Sequence, residues 1–166
     1  MKFDWEKGGN RETFDEPLRF EDFNPDLRFN SLPWVSITSD DVISFGLATR
    51  DRNALHTDEA YAKTTALHGI VAHGGLVVNS LFGCLHHVGF WNKTLEALLE
   101  THARFVKPVR PGERVKHFLR VLEAHPAERH PEVGIVTFEF HTLNGSYEQV
   151  VEGSFSVLIR KKNKSS

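Results

Sequence analysis

Leu76, Val77, Val78, Leu81, Phe82, Cys84, Leu85 and Val88 put apolar side chains on nearly every side of one predicted helix, and such a helix must be covered all round. This stretch constrains the fold more than any other. Taken over residues 74–89, the helix would measure roughly 24 Å, about the height of a small domain. Its cover is expected from the C-terminal half, where residues 101–109, 114–124, 133–143 and 149–160 read as strands. In the third, Ile135, Thr137, Glu139 and His141 alternate with Val136, Phe138 and Phe140; in the fourth, Val151, Phe155, Val157 and Ile159 share a face. Pro111-Gly112 and Asn144-Gly145 mark turns, and short turns between strands imply antiparallel pairing. A buried helix covered by an antiparallel sheet is an α+β layer arrangement.

The first half is more varied. Residues 1–24 form a polar extension dotted with Phe3, Trp5, Phe14, Phe20 and Phe23, which either packs across the domain or stays mobile. Residues 27–37 read as extended, with Pro33 favouring an edge. Thr38-Ser39-Asp40-Asp41 has hydroxyl caps followed by first-turn acids, the start of a helix. Val42, Phe45, Leu47 and Ala48 supply its apolar stripe, and it is expected to end near Arg50. Residues 59–65 form a second short helix, with Tyr61 and Ala62 turned inward. The chain thus divides into an extension (1–24), one domain (25–162) and a polar tail (163–166).

At 166 residues the chain fits a single domain, since domains commonly run to about 100–150 residues. A formal charge of −2 gives no reason to expect a nucleic acid or an anionic membrane as partner. The longest apolar stretch is broken by Asn79, Ser80, His86 and His87 and cannot span a bilayer. The lone cysteine, Cys84, has no partner within the chain, which suits a reducing, cytoplasmic setting. Inside an apolar helix it reads as a small buried hydrophobe rather than a nucleophile.

Chemistry concentrates in the segment Asp51-Arg52-Asn53-Ala54-Leu55-His56 and in His73-Gly74-Gly75. A carboxylate and an imidazole close together can grip one water molecule, one taking its proton while the other orients it. Taken alone, these residues also fit a capping acid and a hydrogen-bonded loop histidine. The first amides of the helix at Gly74 and Gly75 have no partner within it. A substrate carbonyl could approach them closely, as in an oxyanion hole. His56, His68, His73, His86 and His87 make no H-x-x-x-H or H-E-x-x-H pair, so no metal site is expected.

The run 45–76 resembles the hydratase-2 signature of the MaoC-like dehydratases. That signature reads D-x-N-P-x-H, then acidic and small helix residues, then an isoleucine–valine–histidine–glycine helix start. Asp51, Asn53, His56, Asp58, Tyr61, Ala62, Ile70, His73 and Gly74 stand at the matching places. Arg104 to Glu113 is similar to the family's F-x-x-P-V-x-P-G-D turn, and Phe20-Glu21-Asp22-Phe23 to its first strand region. The resemblance implies a hot-dog fold, an antiparallel sheet wrapped round the helix from Gly74, paired as a homodimer. It implies hydration of trans-2-enoyl-CoA to the (3R)-hydroxyacyl-CoA, and the reverse dehydration. Asp51 and His56 would hold and activate water with support from Asn53. Gly74 would polarise the thioester carbonyl, with Gly75 and His73 beside it, and no metal or redox cofactor would take part. Ala54 stands where the family has proline, and Leu67-His68-Gly69 replaces an aromatic residue and arginine or proline; both changes bear on acyl preference. A thioesterase on the same fold and a non-catalytic acyl-thioester-binding subunit are the alternatives.

Overall fold

A computed structural model describes residues 14–162; Phe3, Trp5 and the tail from Asn163 lie outside the described residues. After a single 3-10 turn (Phe20–Asp22) come β1 (Arg28–Phe29), β2 (Val35–Ser36), α1 (Ser39–Thr49), α2 (Ala54–Thr57) and α3 (Glu59–Thr64). The buried helix α4 (Gly74–His87) follows, then β3 (Leu95–Phe105), β4 (Arg114–Pro126), β5 (Val133–Asn144) and β6 (Gln149–Arg160). The sheet runs β1-β4-β5-β6-β3, with β2 also on β4, and every pairing is antiparallel. It wraps α4 as a hot-dog fold does.

The alternation of β5 and β6 decides which face meets the helix. Val136, Phe138 and Phe140 of β5 and Phe155 and Val157 of β6 are buried against Leu81 and Leu85 of α4 in one core. Phe138 and Phe155 stack with ring centroids 5.0 Å apart. Cys84 lies in this core, and burial pushes its thiol up to about 11. Residues 14–23 pack onto the same core. Phe14 N donates to Val88 O at 2.8 Å and Leu18 N to Phe90 O at 2.9 Å, while Phe14, Phe23 and Phe29 all contact the Phe90 ring. At the other end Lys162 pairs with Asp22 and Lys161 donates to Pro131 O, so this part of the basic end serves the protein's own chain.

Three expectations need correction. Tyr61 is exposed, and only Ala62 of that pair is buried. On α1, Val42 and Gly46 are buried while Leu47 and Ala48 face outward, because α1 lies at the margin of the body and has one line of neighbours. Strand β3 begins at Leu95 and ends at Phe105 rather than covering 101–109.

One buried polar group escaped the sequence. His117 of β4 is fully buried between Ser80 and Thr142, at 3.1 and 2.9 Å. Ser80 donates its hydroxyl to Val77 O, so it accepts from His117 Nε2, leaving Nδ1 to accept from Thr142. The ring is neutral, and burial lowers its pKa from 6.5 to about 3. The unfolded chain therefore binds this proton more readily than the folded one. Its contribution to stability is complete above pH 6.5 and is lost as pH falls from 6.5 towards 3, by up to about 1.4 kcal/mol per pH unit. Urea midpoints between pH 7 and pH 5 should fall accordingly, and His117→Gln should flatten that slope. An unchanged slope in the variant would assign the effect to other groups.

Candidate active site

The loop that carries Asp51 and His56 is built by capping. Helix α1 starts at Thr38, whose hydroxyl accepts from Asp41 N while the Asp41 carboxylate takes Thr38 N, a reciprocal box. The Thr38 hydroxyl, which donates to Asp41 Oδ2 at 2.6 Å, and then the Thr38 amide hold the Asp41 carboxyl below its ordinary range. The helix ends in a left-handed residue, Arg50 (φ 65), which turns the chain sharply into Asp51. Asp51 Oδ1 accepts from Asn53 N at 3.3 Å, and Asn53 Oδ1 caps α2 by accepting from Leu55 N at 2.9 Å. Asn53 thus supports the loop through both its backbone amide and its side-chain oxygen. Ala54 is the first residue of α2, a position that suits proline well. Asp58 then ends α2 and caps α3 by accepting from Tyr61 N.

The structure brings Asp51, His56 and His73 together: each offers a donor atom, all within 4.8 Å of one another. His56 Nδ1 donates to Val71 O at 2.7 Å, because a carbonyl can only accept. In the neutral ring Nε2 therefore keeps its lone pair. His73 lies beneath, buried, with ring centroids 3.8 Å apart. Its Nε2 donates to Asp51 O at 3.0 Å, and its Nδ1 is buried without a protein partner. His73 thus clamps the loop from below. Gly46 makes room for this stack, since a Cβ there would lie 2.9 Å from Asp51 O and 3.4 Å from the His73 ring.

These three donors were missed as a group in the sequence, where only helical spacing was tested. Zinc ligands sit about 2.0–2.2 Å from the ion, which puts them roughly 3.4 Å from each other. The three atoms lie within 4.8 Å of one another, and His73 Nε2 is already engaged by the Asp51 carbonyl. A carboxylate beside an imidazole is also a pair that can grip one water molecule.

Gly74 and Gly75 are the first residues of α4, and His73 before them gives no side-chain cap. A Cβ on Gly74 would come 2.7 Å from the Phe105 ring, and one on Gly75 3.1 Å from Phe45. Gly74 lines a cleft of about 420 Å³ together with Val77, Phe105, Val109 and Val151. His56 lines a neighbouring cleft of about 440 Å³ with Val42, Ile43, Ile70, His68 and Arg110. A third hollow of about 530 Å³ between the leader and β1, lined by Phe14 and Leu32, contains none of these groups.

Two further residues shape the site. Arg110 donates from Nη1 to Ile70 O and from Nη2 to Leu67 O, while Ala72 N donates to Val109 O at 2.7 Å. Together they fix the segment whose Val71 carbonyl orients His56. Gly69 (φ 146) packs against the Arg110 guanidinium, where a Cβ would lie 2.9 Å from Nη1. Phe105 sits at the end of β3, against Gly74. Arg110 and Phe105 lie in the strand-and-turn run around Pro108 and Gly112, and that run was the available signal.

A buried helix in a curled antiparallel sheet, with an acid and two histidines at its N-terminal end, defines the class. The model of the MaoC like domain matches residues 22–139, well over half of the chain, and the chain belongs to that family. It is 30% identical over 128 residues to the uncharacterized protein YdeM of Bacillus subtilis, covering 76% of this chain and 89% of that one. Among solved structures it is similar to a monoamine oxidase regulatory protein from Archaeoglobus (26% identity, TM-score 0.79, 90% of this chain and 99% of that one). It is also similar to the R-hydratase PhaJ1 of Pseudomonas aeruginosa (25% identity, TM-score 0.71, 88% of each chain). In general terms these likenesses support a hydratase or dehydratase. Among the described residues no helix is long and apolar enough to cross a membrane.

Proposed function

We propose that the protein hydrates trans-2-enoyl-CoA thioesters to (3R)-3-hydroxyacyl-CoA, and catalyses the reverse dehydration, without a metal or redox cofactor. The observation that carries this reading is the orientation of His56: its Nδ1–H donates to Val71 O, leaving Nε2 as the base of a ring grouped with the Asp51 carboxylate. Asp51 and His56 hold one water molecule. As its oxygen bonds to C3 of the enoyl group, His56 takes a proton and the C2=C3 electrons move onto the thioester oxygen. The Gly74 amide, at the positive end of α4, holds that enolate oxygen. C2 then takes that proton back from the Asp51–His56 pair as the enolate collapses, so the balance is one water added with nothing oxidised or reduced and the base restored. The (3R) outcome rests on likeness to the R-hydratase. The single cysteine suits a cytoplasmic setting.

The test is hydration of crotonyl-CoA by the purified protein, followed as loss of enoyl absorbance beside Asp51→Asn. Hydroxyacyl-CoA formed by the wild type and not by the variant supports the reading. Release of free CoA would replace it with a thioesterase, and binding without turnover with a non-catalytic subunit.

The working form in this proposal is a homodimer. Among the described residues strand β3 pairs with β6 alone, at one end of the sheet, and exposes Leu98, Leu99 and Phe105 by 48%, 47% and 55%. A long apolar edge is a template for pairing with another chain. Here the partner is a second copy, which would also roof the cleft beside Gly74. Light scattering should give twice the 18.9 kDa chain mass, and Leu98→Glu with Leu99→Glu should shift it towards one. A wild type that stays monomeric at tens of micromolar would end this assignment.

A further inference from the structure

The cleft lined by His56 and the cleft lined by Gly74 differ in chemistry, and the enoyl thioester itself decides which end lies in each. Its carbonyl carbon C1 and its acceptor carbon C3 are two bonds apart. With the C1 oxygen on the Gly74 amide and C3 within reach of water held by His56, the thioester side occupies the cleft that contains Gly74. Everything beyond C3 continues into the cleft that contains His56. For a simple fatty acyl chain that second cleft should be apolar to its end. Val42, Ile43 and Ile70 meet this requirement, but Arg110 and His68 also line it.

Arg110 is half-buried, and its guanidinium is held by two backbone carbonyls, Leu67 O and Ile70 O. Two of its five N–H donors are used in this way, and neither partner carries charge. The nearby Glu113 carboxylate bonds to the Arg110 backbone N at 2.7 Å instead. Glu59, the carboxylate of the same cleft, is ion-paired with Lys63 at 3.2 Å. Among the described residues no carboxylate is ion-paired with the Arg110 guanidinium. A partly desolvated cation without a counter-charge is costly, and its fork matches a carboxylate better than any other group. His68, held at φ 54 in the same turn, adds a second nitrogen donor at the cleft.

We propose that the acyl group accepted here ends in a carboxylate, bound by Arg110 with His68 beside it, so that the substrate is the mono-thioester of an unsaturated dicarboxylic acid. This presupposes the hydratase chemistry proposed above. The chain that reaches Arg110 lies beyond C3, so the carboxylate takes no part in bond making and serves affinity and choice of substrate.

The test compares two six-carbon thioesters that differ only at their far end, trans-2-hexenedioyl-CoA and trans-2-hexenoyl-CoA, using the purified full-length protein. In the wild type, kcat/KM should be at least tenfold higher for the dicarboxylic substrate, mainly through a lower KM. Arg110→Gln keeps N–H donors for the two carbonyls and removes the charge. Loosening of the loop would lower turnover of both substrates alike, whereas loss of the carboxylate contact should bring their ratio close to one. Equal or faster hydration of hexenoyl-CoA by the wild type overturns the proposal and leaves the hydratase reading standing. Hydration of neither substrate overturns both. The wild-type ratio decides even if Arg110→Gln does not fold.

Discussion

Asparagine in place of Asp51, or alanine in place of His56, should slow enoyl-CoA hydration by about 100- to 10,000-fold, the usual share of general acid–base catalysis. Both substitutions are expected to leave the fold intact. Asp51 is exposed and His56 only partly buried, so neither change opens a cavity. The loop also keeps its other anchors, because His73 bonds to the Asp51 carbonyl rather than its carboxylate, and the Asn53 cap on Leu55 N is untouched. Circular dichroism and melting temperature should be nearly unchanged while kcat falls. An Asp51→Asn protein with wild-type kcat would remove the carboxylate from the mechanism, and the same result for His56→Ala would remove the base.

Gly74→Val should cost about 100-fold in kcat/KM, in the range found for loss of one oxyanion donor. Its amide survives the substitution, so the loss comes from access. A Cβ at this position meets the Phe105 ring at 2.7 Å. Phe105 is more than half exposed and can turn away at small cost to stability, so the added methyls occupy the space a thioester carbonyl needs. Gly74→Ala should lie between the wild type and valine. Normal turnover by a folded Gly74→Val protein would sink the oxyanion-hole assignment, whatever the behaviour of Asp51.

What could be read from the sequence was local. Helix α4 and strands β5 and β6 show their periods plainly, and the ends of β6 fall where alternation places them. Asp51, Asn53 and His56 stood out as candidates because a carboxylate, an amide and an imidazole fall within one six-residue segment that resembles the family's signature. Strand β3 was not, since Leu95-Glu96-Ala97-Leu98-Leu99-Glu100 is helix-favouring in composition. Its pairing with β6 overrides that preference, with bulges between Leu95 and Ala97 and between Leu98 and Glu100. The orientation of His56 was also hidden, because its partner is a backbone carbonyl fifteen residues away and peptide groups leave no mark in a sequence. Arg110 reaches its carbonyls across 40 and 43 residues. His117 was hidden for another reason: a histidine in an alternating strand reads as a solvent-facing residue until both of its partners are known.

The hydrogen bonds around residues 65–72 have a consequence for engineering. His56 is aimed by Val71, Val71 belongs to a segment fastened to α3 through Gly69 N and Ala62 O, and that segment is fastened to the β3–β4 connection through Arg110. A short catalytic sequence transplanted from a relative would arrive without its sighting mechanism. To move this chemistry between scaffolds, residues 51–58 would have to travel with the 62–72 segment and with the arginine that precedes Pro111. Conversely, substitutions in the Arg110-Pro111-Gly112 corner offer a way to adjust the orientation of His56 without touching the proposed reacting groups.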